Sequence, residues 1–119
     1  MTKHSLIEYL EDRAGENYRA TVRYNGDETE ILYVREDLEE TRLTSQTDRI
    51  VRRLRPETSS KEEASFPFGD LAATVRVFHD AILLHFPRGK NRGIFVSLEP
   101  ETARSLTTFI SECEKRLQN

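Results

Sequence analysis

The chain has 119 residues, with 18 Lys and Arg against 21 Asp and Glu, and so a formal charge of −3. That length suits one domain and excludes two ordinary ones. No apolar run approaches the ~18–20 residues of a membrane span, the first residues lack the apolar core of a signal peptide, and a single cysteine, Cys113, excludes an internal disulfide framework and a cysteine-cluster zinc site. Hydrophobic residues are 36% and charged residues 33%, the latter above the usual ~25%, so the expectation is one polar, cytoplasmic domain over residues 1–119 with an economical core. Of the 18 cations, 14 are Arg and 4 are Lys, a bias that fits both strong salt screening and a GC-rich coding sequence.

Ser5 followed by Glu8 reads as a capping box, Leu6, Ile7 and Leu10 share one helical face, and Gly15 supplies the stop. A hairpin follows, with strands Tyr18–Tyr24 and Thr29–Val34 around an Asn25-Gly26 turn. Strict alternation then places Tyr18, Ala20, Val22, Tyr24, Ile31 and Tyr33 on one face, leaving Leu32 and Val34 on the other. From Asp37 a helical stretch runs to about Arg55, with a break near Thr44-Ser45 where Ser45 caps a second piece carrying Ile50, Val51 and Leu54, and Pro56 closes it. Residues 56–66 are polar and unpatterned, an exposed connection.

The second half reads as strands Leu71–His79, Ala81–Phe86 and Gly93–Leu98, then a helix from Pro100 to about Leu117 with the stripe Ala103, Leu106, Phe109, Ile110, Cys113 and Leu117. Alternation sorts Leu71, Ala73, Val75, Val77, Ile82, Leu84, Phe86, Ile94, Val96 and Leu98 onto one face. Thr74, Arg76, Phe78, Leu83, His85, Phe95 and Ser97 fall on the other. The fold class is α+β, a single five-stranded antiparallel sheet with helices on both faces in the order α-β-β-α-β-β-β-α. The first face needs cover from the two terminal helices. The second, carrying Phe78, Leu83 and Phe95, is too apolar to stand in water and needs the middle helix, a partner chain, or both.

No catalytic constellation emerges. His79 and His85 fall on opposite faces and cannot jointly hold a metal, and Cys113 sits in an apolar stripe as a buried structural thiol. Gly89-Lys90 lacks the Ser or Thr and the following helix of a phosphate loop, since Asn91 and then a strand follow. The acid pairs Glu39-Glu40 and Glu62-Glu63 lie in solvated runs with nothing to separate their pKa values. The expectation is no enzyme activity, no cofactor and no metal.

Two surfaces remain. Phe78, Leu83, His85, Phe95, Ile50, Val51 and Leu54 form an expected partner interface, which makes the protein an interaction or regulatory module that pairs as a homodimer, with a further protein partner possible and no membrane role. The alternative is a nucleic-acid-binding regulator using Arg49, Arg52, Arg53 and Arg55 of the middle helix with Arg88, Lys90 and Arg92 of the 87–93 loop. Against that alternative stand the net negative charge and nearby acids such as Asp48 and Glu57.

The runs Leu32–Asp37, Thr74–Pro87 and Leu106–Phe109 resemble a family of small haloarchaeal proteins of unassigned function. That resemblance implies adaptation to high salt and no particular chemistry. The element order is also similar to the roadblock/longin-like (profilin-like) architecture, whose members commonly pair as homodimers and scaffold small GTPases or motor components. This second likeness is one of topology and implies no site residue.

Overall fold

A computed structural model of the protein describes residues 3–39, 43–55 and 65–117. Helix α1 (Lys3–Ala14) leads through a 3-10 turn, Gly15–Asn17, into strands β1 (Tyr18–Asn25) and β2 (Glu28–Val34). A short turn of helix, α2 (Glu36–Glu39), precedes α3 (Leu43–Leu54). Strands β3 (Thr74–Val77), β4 (Ile82–Gly89) and β5 (Arg92–Leu98) follow, then a 3-10 turn, Pro100–Ala103, and the last helix, α4 (Arg104–Leu117). The five strands form one antiparallel sheet in the order β2-β1-β5-β4-β3. Because α3 already begins at Leu43, Ser45 lies inside its first turn and is not the cap expected from the sequence; most of the polar connection (56–64) lies outside the described residues.

Helix α1 begins at Lys3, ahead of the expected start at Ser5, because Lys3 and His4 carry nothing that breaks a helix. It ends at Gly15, whose φ of +53° is the left-handed conformation that stops a helix without steric cost. The first hairpin turns at Gly26-Asp27, one residue later than expected. Asn25 pairs with Glu28, and Gly26 alone takes positive φ, the signature of a turn with glycine first.

The strict alternation expected for this hairpin fails in its far half. The register shifts between Tyr18 and Ala20 against β5 and between Thr21 and Val22 against β2. Each bulge inserts one residue and reverses which side of the sheet later residues face. Tyr18 and Tyr33 therefore stack on each other, 4.1 Å between ring centroids, on the side covered by α1. Val22, Tyr24 and Ile31 belong to the opposite side, with Val51 of α3 and Phe95. In the second half the alternation holds: Ile82, Leu84, Phe86, Ile94, Val96 and Leu98 share the α1 side. The strands are shorter at one end and longer at the other than expected. β3 begins only at Thr74, and β4 and β5 run on to Gly89 and Arg92, so the expected 87–93 loop contracts to Lys90-Asn91.

Two small cores result, one on each side of the sheet. Tyr18, Ile82, Val96 and Leu98 are buried beneath Ile7, Leu10 and Ala14 of α1. Val22, Tyr24, Val51 and Phe95 are buried on the other side, with Leu54 and Leu83 against them. Each large side chain so enclosed is worth about 1.5–3 kcal/mol over leaving it in water.

The last helix departs from expectation. Ala103 touches the α1-side core, but α4 buries no residue: Leu106, Phe109 and Leu117 are 43, 66 and 82% exposed, and Cys113 is exposed. The stripe is amphipathic as read, yet it does not lie on the sheet. The thiol is therefore not a buried structural one. On the sheet itself, the α1 side of β3 is open, with Val75 and Val77 exposed.

The end of the sheet where β1 starts and β5 stops is tied by charge. Glu99 Oε2 accepts from Arg19 Nη1 at 3.2 Å and from Arg35 Nη2 at 2.8 Å, while Arg35 Nε donates to Asp37 Oδ1 at 2.5 Å and its Nη1 to the Glu16 carbonyl at 2.7 Å. The two guanidinium groups hold Glu99 below the usual carboxylate range, Arg35 foremost, and Arg35 does the same for Asp37. A network that joins β1, the 3-10 turn after α1, α2 and the residue following β5 fixes their geometry more firmly than isolated surface pairs would.

Candidate functional site

Helix α3 lies over one face of the sheet and leaves a cleft of about 630 Å³ between them. The helix is held there by a strongly one-sided sequence. Val51 faces the sheet and is 2% exposed, Ile50 and Leu54 are half-buried beside it, and Arg49, Arg52 and Arg53 are exposed. Val22, Ile31 and Phe95 supply the floor, Leu83 and Ala81 one wall, and Phe78 lines the cleft while remaining 51% exposed. Arg19, Arg49 and Arg53 also line it, and among the described residues no Asp or Glu does.

The end of α3 is pinned by an aromatic cluster. The Tyr24 hydroxyl shares a hydrogen bond with His85 Nε2 at 2.8 Å, and the His85 ring stacks on Phe95 with centroids 4.2 Å apart. Arg55 lies over the Tyr24 ring, 5.4 Å from its centroid, and donates from Nη1 to the Gly26 carbonyl. Tyr24 reaches His85 across β5 because Gly93 stands between them: a Cβ there would sit 2.5 Å from the Tyr24 oxygen. Burial pushes the Tyr24 phenol up, with Arg55 opposing. Burial also pushes His85 down, and the charge of Arg76 adds to that effect.

A titration consequence follows from His85. Its folded pKa lies below the unfolded value of ~6.5, so unfolded chain takes up the proton first. The stability this histidine contributes is complete above that pH and is lost as pH falls towards the folded value. Thermal melts at about pH 7.5 and about pH 5.5 should show a lower midpoint at the acid value, with the difference smaller in His85→Gln. An unchanged difference in the variant would mean that other groups set it.

The seven residues expected to meet a partner do not form one open surface. Val51, His85 and Phe95 are buried within the chain, Ile50, Leu54 and Leu83 are half-buried, and Phe78 alone is exposed. The middle helix of the same chain lies over this face, one of the covers that the sequence left open. The basic residues fare differently. Gly26 N donates to the Asn91 carbonyl at 2.8 Å, which joins the tips of the two hairpins, and Arg55 binds the same Gly26. Arg88, Lys90 and Arg92 at one tip are thereby brought to the end of α3 that carries Arg52, Arg53 and Arg55, although Arg55 is spent on Gly26 and Tyr24.

Sequence reasoning missed Gly93 and the Tyr24–His85 bond. A glycine inside an apolar strand was the one available signal. The i, i+4 spacing of Arg49 and Arg53, beside Ile50 and Leu54 at the same spacing, was the signal for a basic-edged cleft. Among the described residues no three of His, Cys, Asp and Glu are placed to hold a metal ion, and no helix is long and apolar enough to cross a membrane.

These features define a small α+β domain with one antiparallel sheet, a helix packed on each side of it and an apolar cleft beneath one of them. The chain belongs to the family described as Domain of unknown function (DUF7522), whose model matches residues 4–118. Neither the curated proteins nor the solved structures contain a match to it.

Proposed function

We propose that the protein is a non-catalytic interaction or regulatory module that pairs with a second copy of itself, using α4 and the open β3 side of the sheet. The observation that carries this reading is the exposed stripe of α4, with Phe109 and Leu117 largely in water and Leu106 nearly half so. The same chain presents Val75 and Val77 on the α1 side of the sheet, also exposed. A helix from one copy laid on the strand of the other, and the reverse, makes a closed two-fold pair in which both surfaces are satisfied twice. The likeness to roadblock/longin-like domains, which commonly pair, agrees with this reading, and the likeness to haloarchaeal proteins suggests a salt-rich setting in which apolar contacts persist and surface ion pairs fade. Sedimentation equilibrium at micromolar protein in molar salt should give twice the 13.9 kDa chain mass. A strict monomer overturns the proposal.

The meeting of the two hairpin tips with the end of α3 supports a second reading, a nucleic-acid-binding regulator. Phosphate contact by Arg52, Arg53, Arg88, Lys90 and Arg92 predicts duplex DNA or RNA binding that weakens linearly with log salt, with a slope of about −0.9 per phosphate contacted on B-DNA. Titration across a salt series checks it, and no binding at low salt with the fold intact rejects it.

A further inference from the structure

We propose that the cleft between α3 and the sheet is a binding site for a single-chain amphiphile with an anionic head group, the tail lying between Leu54 and Leu83 and the head meeting Arg49 and Arg53. A cleft of about 630 Å³ is of the size that encloses a small ligand. Its floor is apolar, so a flexible hydrocarbon tail gains what the cleft walls lose by facing water.

The charge pattern selects the head. In a chain of net charge −3, the cleft is lined by Arg19, Arg49 and Arg53 and, among the described residues, by no carboxylate, Asp48 lying beside Arg49 and Arg53 outside it. Arg19 is already committed to Glu99 and Ser97. Arg49 and Arg53 are exposed and, among the described residues, in no ion pair. One turn apart on the helix, they sit on the same side of it, where their aliphatic stems can follow the cleft wall while the guanidinium groups stay at the water boundary. Paired guanidinium forks at the edge of an apolar slot match a carboxylate or a phosphate monoester at the end of a hydrocarbon chain. A neutral apolar ligand would leave both unanswered. The site is independent of the α4 surface, so failure of self-association leaves it untouched, and the reverse.

The test is isothermal titration of the full chain at low salt with dodecanoate, and with dodecyl maltoside as a neutral probe of the same tail, both below their micelle concentrations. Dodecanoate should bind one per chain and at least about tenfold more tightly than the neutral probe, a difference of about 1.4 kcal/mol. Arg49→Gln with Arg53→Gln should remove that advantage while leaving the neutral probe unchanged, and Arg49→Lys with Arg53→Lys should restore much of it. Ala81→Phe, which fills one wall, should weaken both probes. Far-ultraviolet circular dichroism establishes that each variant is folded, and because both arginines are exposed the charge variants do not threaten the core. Absence of saturable dodecanoate binding, equal binding of the two probes, or indifference to the arginine substitutions overturns the proposal. So does binding that strips away with Leu106→Glu and Phe109→Glu, since it would then belong to α4.

Discussion

Gly93→Ala should cost about 2–3 kcal/mol and lower the thermal midpoint by on the order of 10 °C. Gly93 is buried in β5, opposite Tyr24 of β1 and Pro87 of β4. A methyl group at this position would meet the Tyr24 oxygen at 2.5 Å, Cζ at 2.7 Å and Cε1 at 2.8 Å. The ring cannot swing aside cheaply. It is 2% exposed, its hydroxyl is bonded to His85, and Arg55 closes over its face. Accommodation requires breaking the His85 bond, shifting α3 through Arg55, or bending the central strand. The check is a double-substitution cycle by thermal or urea melts: in a Tyr24→Leu background, Gly93→Ala should cost far less than in the wild type. Equal costs in the two backgrounds would show that the penalty arises from the strand backbone and not from Tyr24.

Leu106→Glu with Phe109→Glu should convert a two-copy protein to a single copy without loss of fold. Phe109 stands mostly in water and Leu106 nearly half so in the isolated chain, 66 and 43% exposed, and neither belongs to either core, so their replacement leaves both cores in place. In the proposed pair each is buried twice by symmetry, and four carboxylates would have to be taken out of water without partners. The equilibrium should therefore shift by orders of magnitude in dissociation constant. Light scattering at micromolar protein in molar salt reads the mass, and circular dichroism reads the fold. A variant that unfolds would place α4 on the sheet of its own chain, against the proposal. A variant that remains dimeric would move the interface elsewhere on the molecule.

These two expectations depend on different kinds of information. The stripe Leu106, Phe109, Ile110, Cys113 and Leu117 was legible from spacing alone, because a 3.6-residue period is a property of the helix itself. Its destination was not, because where a helix docks depends on surfaces far away in the chain. Cys113 shows the error that follows: an apolar stripe was equated with burial, and the helix carrying it buries no residue. The site divides in the same way. Arg49, Arg53, Ile50 and Leu54 were visible as a basic and apolar pair of rows, but the cleft exists only because α3 and the sheet face each other with Val51 between them.

At the level of the whole protein, composition and local pattern determined an α+β fold, its five strands and its element order, along with the faces of the second hairpin and the following strand. Alternation along a regular strand and periodicity along a helix are short-range consequences of backbone geometry, so a sequence displays them directly. Tertiary structure alone decided the rest. Two bulges, set where β1 must pair with different neighbours on its two sides, put Tyr18 and Tyr33 on one side of the sheet and Val22, Tyr24 and Ile31 on the other. Covering one face by α3 turned an expected partner surface into a small core with a cleft, and leaving α4 undocked placed the open apolar surface at the end of the chain. The low charge of −3 acquired local meaning only then, when the fold set arginines along an apolar slot that no described carboxylate lines.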